Sequence, residues 1–211
     1  MVSSDAWSVS GRNTARGAVM QLSPTIRSKD DFRAWRKADL EGAGLSRWRL
    51  GMGLRYPTIH FLRVLRRVEY LTNRRQNSII RVHRAIVVVY FRLLSIYLGF
   101  TIPPNTCGPG LRLNHWGTIV ISPEARIGAR ARINICVNLG LKDGQAPHLG
   151  DDVYIGPGAK LFGGIRLGNG VRIGANAVVN RSFPDNSILA GVPARLIGQK
   201  TNKDTPPDEP V

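Results

Sequence analysis

The sequence predicts a mainly β protein: a parallel β-helix preceded by an α-helical N-terminal segment. Three observations carry this. From Ile121 to Val179 an aliphatic residue opens every sixth position with a single break. The openers are Ile121, Ile127, Ile133 and Leu139, then Leu149, Ile155, Leu161, Leu167, Ile173 and Val179. The fifth place of each hexad is small or apolar, as at Ala125, Ala131, Val153, Ala159, Val171 and Ala177. Glycine follows the opener at Gly128, Gly140, Gly150, Gly156, Gly168 and Gly174. A helix repeats every 3.6 residues and a strand every two, so neither explains a period of six. A solenoid of hexapeptides does.

Six residues make one flat side of a triangle, and three sides make a coil. The opener points inward and stacks on its equivalent in the next coil. The fifth place also faces in, where space is short, which selects Ala and Val. Glycine at the second place relieves crowding at the corner. Each coil pairs its backbone with its neighbours, so no repeat is stable alone and the ends need caps.

The elements follow in order. Residues 1–22 are rich in Ser, Gly and Ala without periodicity and read as a disordered tail. They lack an apolar core, so no export peptide is expected there. Ser28 with Asp31 marks a helix start, a capping hydroxyl with acid at the positive end of the dipole. That helix is expected to run to about Leu40. Pro57 opens a second helix through Leu71, with Phe61, Leu62, Leu65, Val68 and Leu71 at helical spacing and arginines 63, 66, 67, 74 and 75 on the remaining face and end. A third helix covers Ser78–Leu98 and ends at Gly99. Pro103 and Pro104 mark a boundary. The expected organisation is a tail over 1–22, an α-helical region over 23–102, the β-helix over 103–199 and a disordered tail over 200–211. The helical region is the natural cap for one end of the β-helix.

Composition narrows the function. The chain has 211 residues and a net charge of +16. Eleven arginines fall between Arg47 and Arg92 against Glu69 alone. Such a block attracts nucleic acid, anionic lipid or phosphorylated ligands, or is a solvated basic face. No zinc or aromatic RNA-binding motif accompanies it, which argues against a nucleic-acid module. The longest apolar run, Ala85–Phe91, stops at Arg92 and is far short of the roughly 20 residues a span needs. Two cysteines, Cys107 and Cys136, give no disulfide framework and favour a reducing compartment. Cys136, inside a hexad, reads as a small packed thiol. The four histidines, His60, His83, His115 and His148, form no ligand pattern, so no metal is expected.

The ladder's irregularities are the informative places. Between Leu139 and Leu149 the openers are ten residues apart. Four residues are therefore extruded within Leu141–His148, and a loop held by a rigid solenoid is a common place for function. His115 stands six before Ile121, in the opener phase where an aliphatic residue is expected. Its alternatives are a structural and a catalytic role, and breaking the ladder with a histidine favours catalysis.

Three segments carry a resemblance. Asn114-His115-Trp116-Gly117-Thr118-Ile119-Val120-Ile121, then Val153-Tyr154-Ile155-Gly156-Pro157-Gly158-Ala159-Lys160, then Ala190-Gly191-Val192-Pro193-Ala194-Arg195 resemble the bacterial serine acetyltransferases of the hexapeptide superfamily. The match spans about Ile102 to Ile197. It implies a left-handed coil, a homotrimer with active sites between subunits, acetyl-CoA as donor, serine as acceptor in cysteine biosynthesis, and a cytoplasmic enzyme.

The resemblance places the family's catalytic histidine at His115. A hydroxyl attacks a thioester poorly until a base takes its proton, and imidazole suits that task near neutrality. Pro157 and Ala175 match positions that meet the pantetheine arm. Gly191, Val192, Pro193 and Arg195 match the segment closing over the CoA end. Arg172 and Arg195 are candidate phosphate partners by charge and position.

Two departures touch the acceptor. Asn114 stands where the family carries an acid. The family's second histidine aligns with Ala146, with His148 two places later as a candidate substitute. Asn114 and His148 are therefore the candidate acceptor-binding residues. The alternative acceptor is a sugar hydroxyl in surface-polysaccharide synthesis, and Arg-rich amphipathic helices fit peripheral contact with an anionic membrane.

Overall fold

A computed structural model describes residues 25–49 and 51–200. The expected tail at 1–22 lies outside them, as does the expected tail at 200–211 except for Lys200, whose N–H donates to the Asn186 carbonyl at 2.7 Å. Helix α1 is Lys29–Gly42. Ser28 Oγ accepts from the Asp31 N–H at 2.9 Å, and Asp31 Oδ2 accepts from the Ser28 N–H at 2.9 Å. Both bonds satisfy amides that a helix start leaves open. The amides of Ser28 and Arg27 hold the Asp31 carboxyl below its usual range. Helix α2, Met52–Arg55, is a single turn that the periodicity did not reveal. Helix α3, Pro57–Asn73, runs two residues past the expected end. Helix α4 is Ser78–Leu98, capped by Asn77 and ended by Gly99 at φ 76°.

The β-helix has three sheets. The first stacks Arg126–Ile127, His148–Leu149 and Arg166–Leu167. The second stacks Arg112–Leu113, Arg132–Ile133, Tyr154–Ile155, Arg172–Ile173 and Ser187–Gly191. Ala194–Gln199 folds back antiparallel on its edge. The third stacks Phe100–Thr101, Ile119–Ile121, Val137–Gly140, Lys160–Phe162 and Val178–Val179. The solenoid backbone thus starts at Phe100, ahead of the proline pair.

The register follows the ladder. Ile133 pairs with Ile155 and Ile155 with Ile173; Leu139 pairs with Leu161 and Leu161 with Val179. All of these side chains are buried, as are Ala125, Ala131, Ala159 and Ala177. Each fully buried Ile or Leu contributes roughly 1.5–3 kcal/mol. The glycine rule has a steric cause. A Cβ on Gly156 would sit 2.7 Å from the Ile173 carbonyl oxygen and 2.8 Å from the Ala175 nitrogen.

The helical layer closes one end. Phe61, Leu62 and Leu65 of α3 and Phe91 and Leu98 of α4 share one core with Phe100, Leu111 and Ile119. The Phe61 and Phe100 rings meet edge to face at 4.9 Å. Two sequence expectations change here. Arg66 is not on the solvated face of α3 but fully buried, because Asp39 and Glu69 lie against it. Cys107, not Cys136, is the packed thiol. Cys107 bridges to Ile127 and fills an opener position of the first coil, whereas Cys136 is exposed at a corner.

Candidate functional site

The turn from the second sheet to the third gathers most of the candidate residues. In the first coil Leu113 pairs with Ile133, and Ile121 with Leu139. Leu113 and Ile121 are therefore eight residues apart where Ile133 and Leu139 are six. The two extra residues fall in the turn between Leu113 and Ile119. His115 is thus not the opener of its coil. Leu113 fills that place, buried, and the longer turn throws His115 outward into solvent. Gly117, at φ 137°, donates its N–H to the Leu98 carbonyl at 2.9 Å, which ties this turn to the end of α4.

Asn114 enters the same turn half-buried. Its Nδ2 donates to Asn134 Oδ1 at 2.9 Å, and Asn134 Nδ2 donates to the Ile155 carbonyl at 2.8 Å. Asn114 Oδ1 is buried and has no hydrogen-bond partner among the described residues. An acceptor left so is costly unless something donates to it.

The equivalent turns of later coils stack beneath. The Cys136 N–H donates to the Thr118 carbonyl, Gly158 to Ile135, and Asn176 to Pro157. Pro157 and Ala175 therefore line one corner of the triangle, below His115. In the last coil Gly191-Val192-Pro193 turns the Ser187–Gly191 and Ala194–Gln199 hairpin at that corner, with Val192 exposed and the Val192–Pro193 bond cis. Arg195 pairs with Ala190 in this hairpin. Arg172 sits one residue before its opener on the outer face of the second sheet, between Tyr154 and Ile188.

His148 is elsewhere. It lies on the outer face of the first sheet, in register with Arg126 and Arg166. Partial burial and these two arginines lower its pKa. Ala146, the aligned position, is buried in the core. The extruded segment is a small hairpin. Lys142 and Gln145 exchange backbone hydrogen bonds at 2.9 and 3.0 Å around Asp143-Gly144. Both turn residues have positive φ, which is the preference of a two-residue hairpin turn. Within one chain, then, His115 and His148 occupy different faces. Among the described residues no His, Cys, Asp or Glu cluster is arranged to hold a metal ion.

Trp116, next to His115, was not singled out by the sequence. It is 63% exposed and lines a groove of about 1010 Å³ shared with Trp48, His60, Arg63, Tyr90 and Tyr97. The signal was its place beside the histidine, but the helices that form the other wall are distant in sequence.

The stacked hexads define a hexapeptide-repeat β-helix protein. The family model described as bacterial transferase hexapeptide (six repeats) matches residues 146–181. A serine acetyltransferase from Helicobacter pylori is 36% identical over 149 residues, 68% of this chain and 83% of that protein. One from Mycobacterium tuberculosis is 35% identical over 101 residues, 46% of this chain; the chain spans only 44% of that relative's length. A solved serine acetyltransferase from Neisseria gonorrhoeae, in complex with serine, superposes with a TM-score of 0.62 at 28% identity, over 79% of this chain and 69% of that one. The chain belongs to the serine acetyltransferase family.

Proposed function

We propose that the protein is an acetyl-CoA-dependent serine O-acetyltransferase of the cytoplasm, with His115 as general base. The observation that carries this is the eight-residue step from Leu113 to Ile121. It ejects His115 at the same corner where Pro157, Ala175 and Gly191–Pro193 stack. A donor arm laid along that corner brings its thioester to the histidine.

The chemistry is balanced in one site. His115 removes the proton from the acceptor hydroxyl as the oxygen attacks the thioester carbon. Backbone N–H groups of the coil are candidate donors to the tetrahedral oxyanion. Collapse breaks the carbon–sulfur bond, and the imidazolium returns its proton to the CoA thiolate. Pro157, Ala175 and Gly191–Pro193 line the donor path, with Arg172 and Arg195 beside its phosphate end. Asn114 Oδ1 takes an N–H or O–H of the acceptor. His148 reaches an acceptor site only from a neighbouring copy, because it lies on another face of its own chain. This supports the homotrimer with sites between subunits.

The second reading is a sugar hydroxyl as acceptor. It is favoured by Asn114, where an acid would pair with an ammonium group, and by the buried Ala146 in place of a loop histidine. Thiol release separates the two. Purified protein and acetyl-CoA are mixed with L-serine or with candidate sugars. Release with L-serine is expected; release with sugars alone overturns serine, and no release with any hydroxyl acceptor overturns the transferase reading.

A further inference from the structure

We infer that the outer face of α4 is a docking surface for an anionic lipid bilayer. The helix is apolar on two sides. One side puts Phe91 and Leu98 into the core. On the other, Ile79, Val82, Ile86, Val89, Leu93 and Ile96 recur at three- and four-residue steps, each more than half exposed. They form a stripe about 27 Å long at 1.5 Å per residue. Scattered exposed hydrophobics need no explanation, but a continuous stripe marks a contact surface. Tyr90 and Tyr97 border it, 47% and 82% exposed. Their apolar rings and polar tips suit the water–lipid boundary.

Charge identifies the occupant. Residues 47–98 contain eleven arginines and one acidic residue, Glu69, which is buried against Arg66. Helix α4 has no acidic residue, and Arg81 and Arg92 are exposed on it. A second copy laid on this face would set arginine against arginine, with no exposed carboxylate in the segment to pair them. An anionic headgroup layer offers an apolar phase for the stripe and counter-charge for the arginines. The stripe is continuous with the groove beside it. Tyr90 and Tyr97 line that groove too, with Arg36, Arg63 and Arg67 on its wall at hand for headgroup phosphates. Among the described residues no helix is long and apolar enough to cross a membrane. The helix therefore lies in the plane of the interface. This inference does not rest on the catalytic reading.

The test is co-sedimentation of the full chain with vesicles of phosphatidylcholine, alone or mixed with phosphatidylglycerol. Binding to the mixed vesicles is expected, at least about tenfold weaker to phosphatidylcholine alone, and falling as salt screens the arginines. The double variant Ile86→Glu with Leu93→Glu should lose at least about tenfold in binding. Its circular-dichroism spectrum and melting temperature should not change, because both side chains are already exposed. No binding to the mixed vesicles overturns the inference, as does equal binding by the variant. Light scattering that shows a larger assembly for the parent chain, broken by the same substitutions, also overturns it and gives the face to a second copy.

Discussion

Arg66 and Asp39, 27 residues apart, meet as a buried fork, Nε to Oδ2 at 2.8 Å and Nη2 to Oδ1 at 3.2 Å. The guanidinium also donates to Glu69 and to the carbonyls of Cys107 and Gly108, so all five of its N–H groups are used. Asp39 Oδ1 accepts from the Gly110 and Leu111 amides at 2.9 and 3.0 Å. Glu69 accepts from the Asn105 amide at 2.8 Å. The cluster fastens α1 and α3 to the first coil, and the two carboxylates raise the arginine's pKa. Asp39→Ala leaves the buried guanidinium with Glu69 as its one carboxylate and strands two amides, and should cost about 3–5 kcal/mol in urea unfolding. Asp39→Asn should cost less, since an amide oxygen still accepts from Gly110 and Leu111. A loss below about 1 kcal/mol for Asp39→Ala would show that the cluster holds nothing together.

Corner glycines are graded by what their missing Cβ would meet. At Gly156 it would strike the Ile173 carbonyl and the Ala175 nitrogen, backbone that cannot yield. At Gly140 the nearest atom is a side-chain oxygen of Asn138 at 3.3 Å. Gly156→Ala should lose about 1–3 kcal/mol of stability as overpacking. Gly140→Ala should lose clearly less. Melting temperatures of the two variants check the ranking, and equal values would contradict the steric account.

The thiols should behave oppositely. Burial pushes Cys107 up from 9.0 to about 11, while Cys136 is exposed at its corner. A maleimide should label Cys136 in the folded chain and Cys107 only after unfolding. A raised folded-state pKa also sets a sign. Stability from this group is full below the unfolded value and is lost as pH rises from about 9 towards about 11. Cys107→Ala should flatten that alkaline part of the stability curve.

Much of this fold was legible because hexad stacking repeats one local rule. Ile133, Ile155 and Ile173 stack directly, so their spacing is the structure. The start of the ladder hid itself, since its first openers Ile102, Cys107, Leu113 and Ile121 are five, six and eight residues apart. That is why His115 looked like an opener when Leu113 is one. Arg66 was illegible for another reason. Its neighbours Arg63 and Arg67 are the same residue type on the same helix, and only Asp39, from another helix, decides which is buried. The placement of the candidate site residues was half legible. Stacking carries Pro157, Ala175 and Gly191 to His115's corner, but the spacing did not show that His148 faces away.

His148 should make the protein acid-sensitive. Burial, then Arg166 and Arg126, lower its pKa, so folding favours the neutral ring over the charged one. With a depressed folded value, the contribution is full above the ordinary value of about 6.5 and lost as pH falls below it. His148→Gln should shrink the drop in melting temperature between neutral and mildly acid pH. An unchanged drop would place the acid sensitivity elsewhere.

His115 and His148 should separate in kinetics, because the proposed roles differ. His115→Ala removes the proton acceptor but no packing, since the ring is exposed and Leu113 fills the core place. Turnover should fall by about 10²–10⁴ with the melting temperature unchanged. His148→Gln removes an acceptor contact from a neighbouring copy. It should raise the KM for the hydroxyl acceptor and leave kcat within about tenfold, because uniform binding acts on KM. The contrast tests the corner itself. The two-residue surplus between Leu113 and Ile121 is what carries His115 out to the donor path. Deleting two residues from that turn would restore the six-residue step and bring the neighbouring side chains back into ladder phase. If turnover survived either that deletion or His115→Ala at the parent rate, the base would have to be sought at another corner.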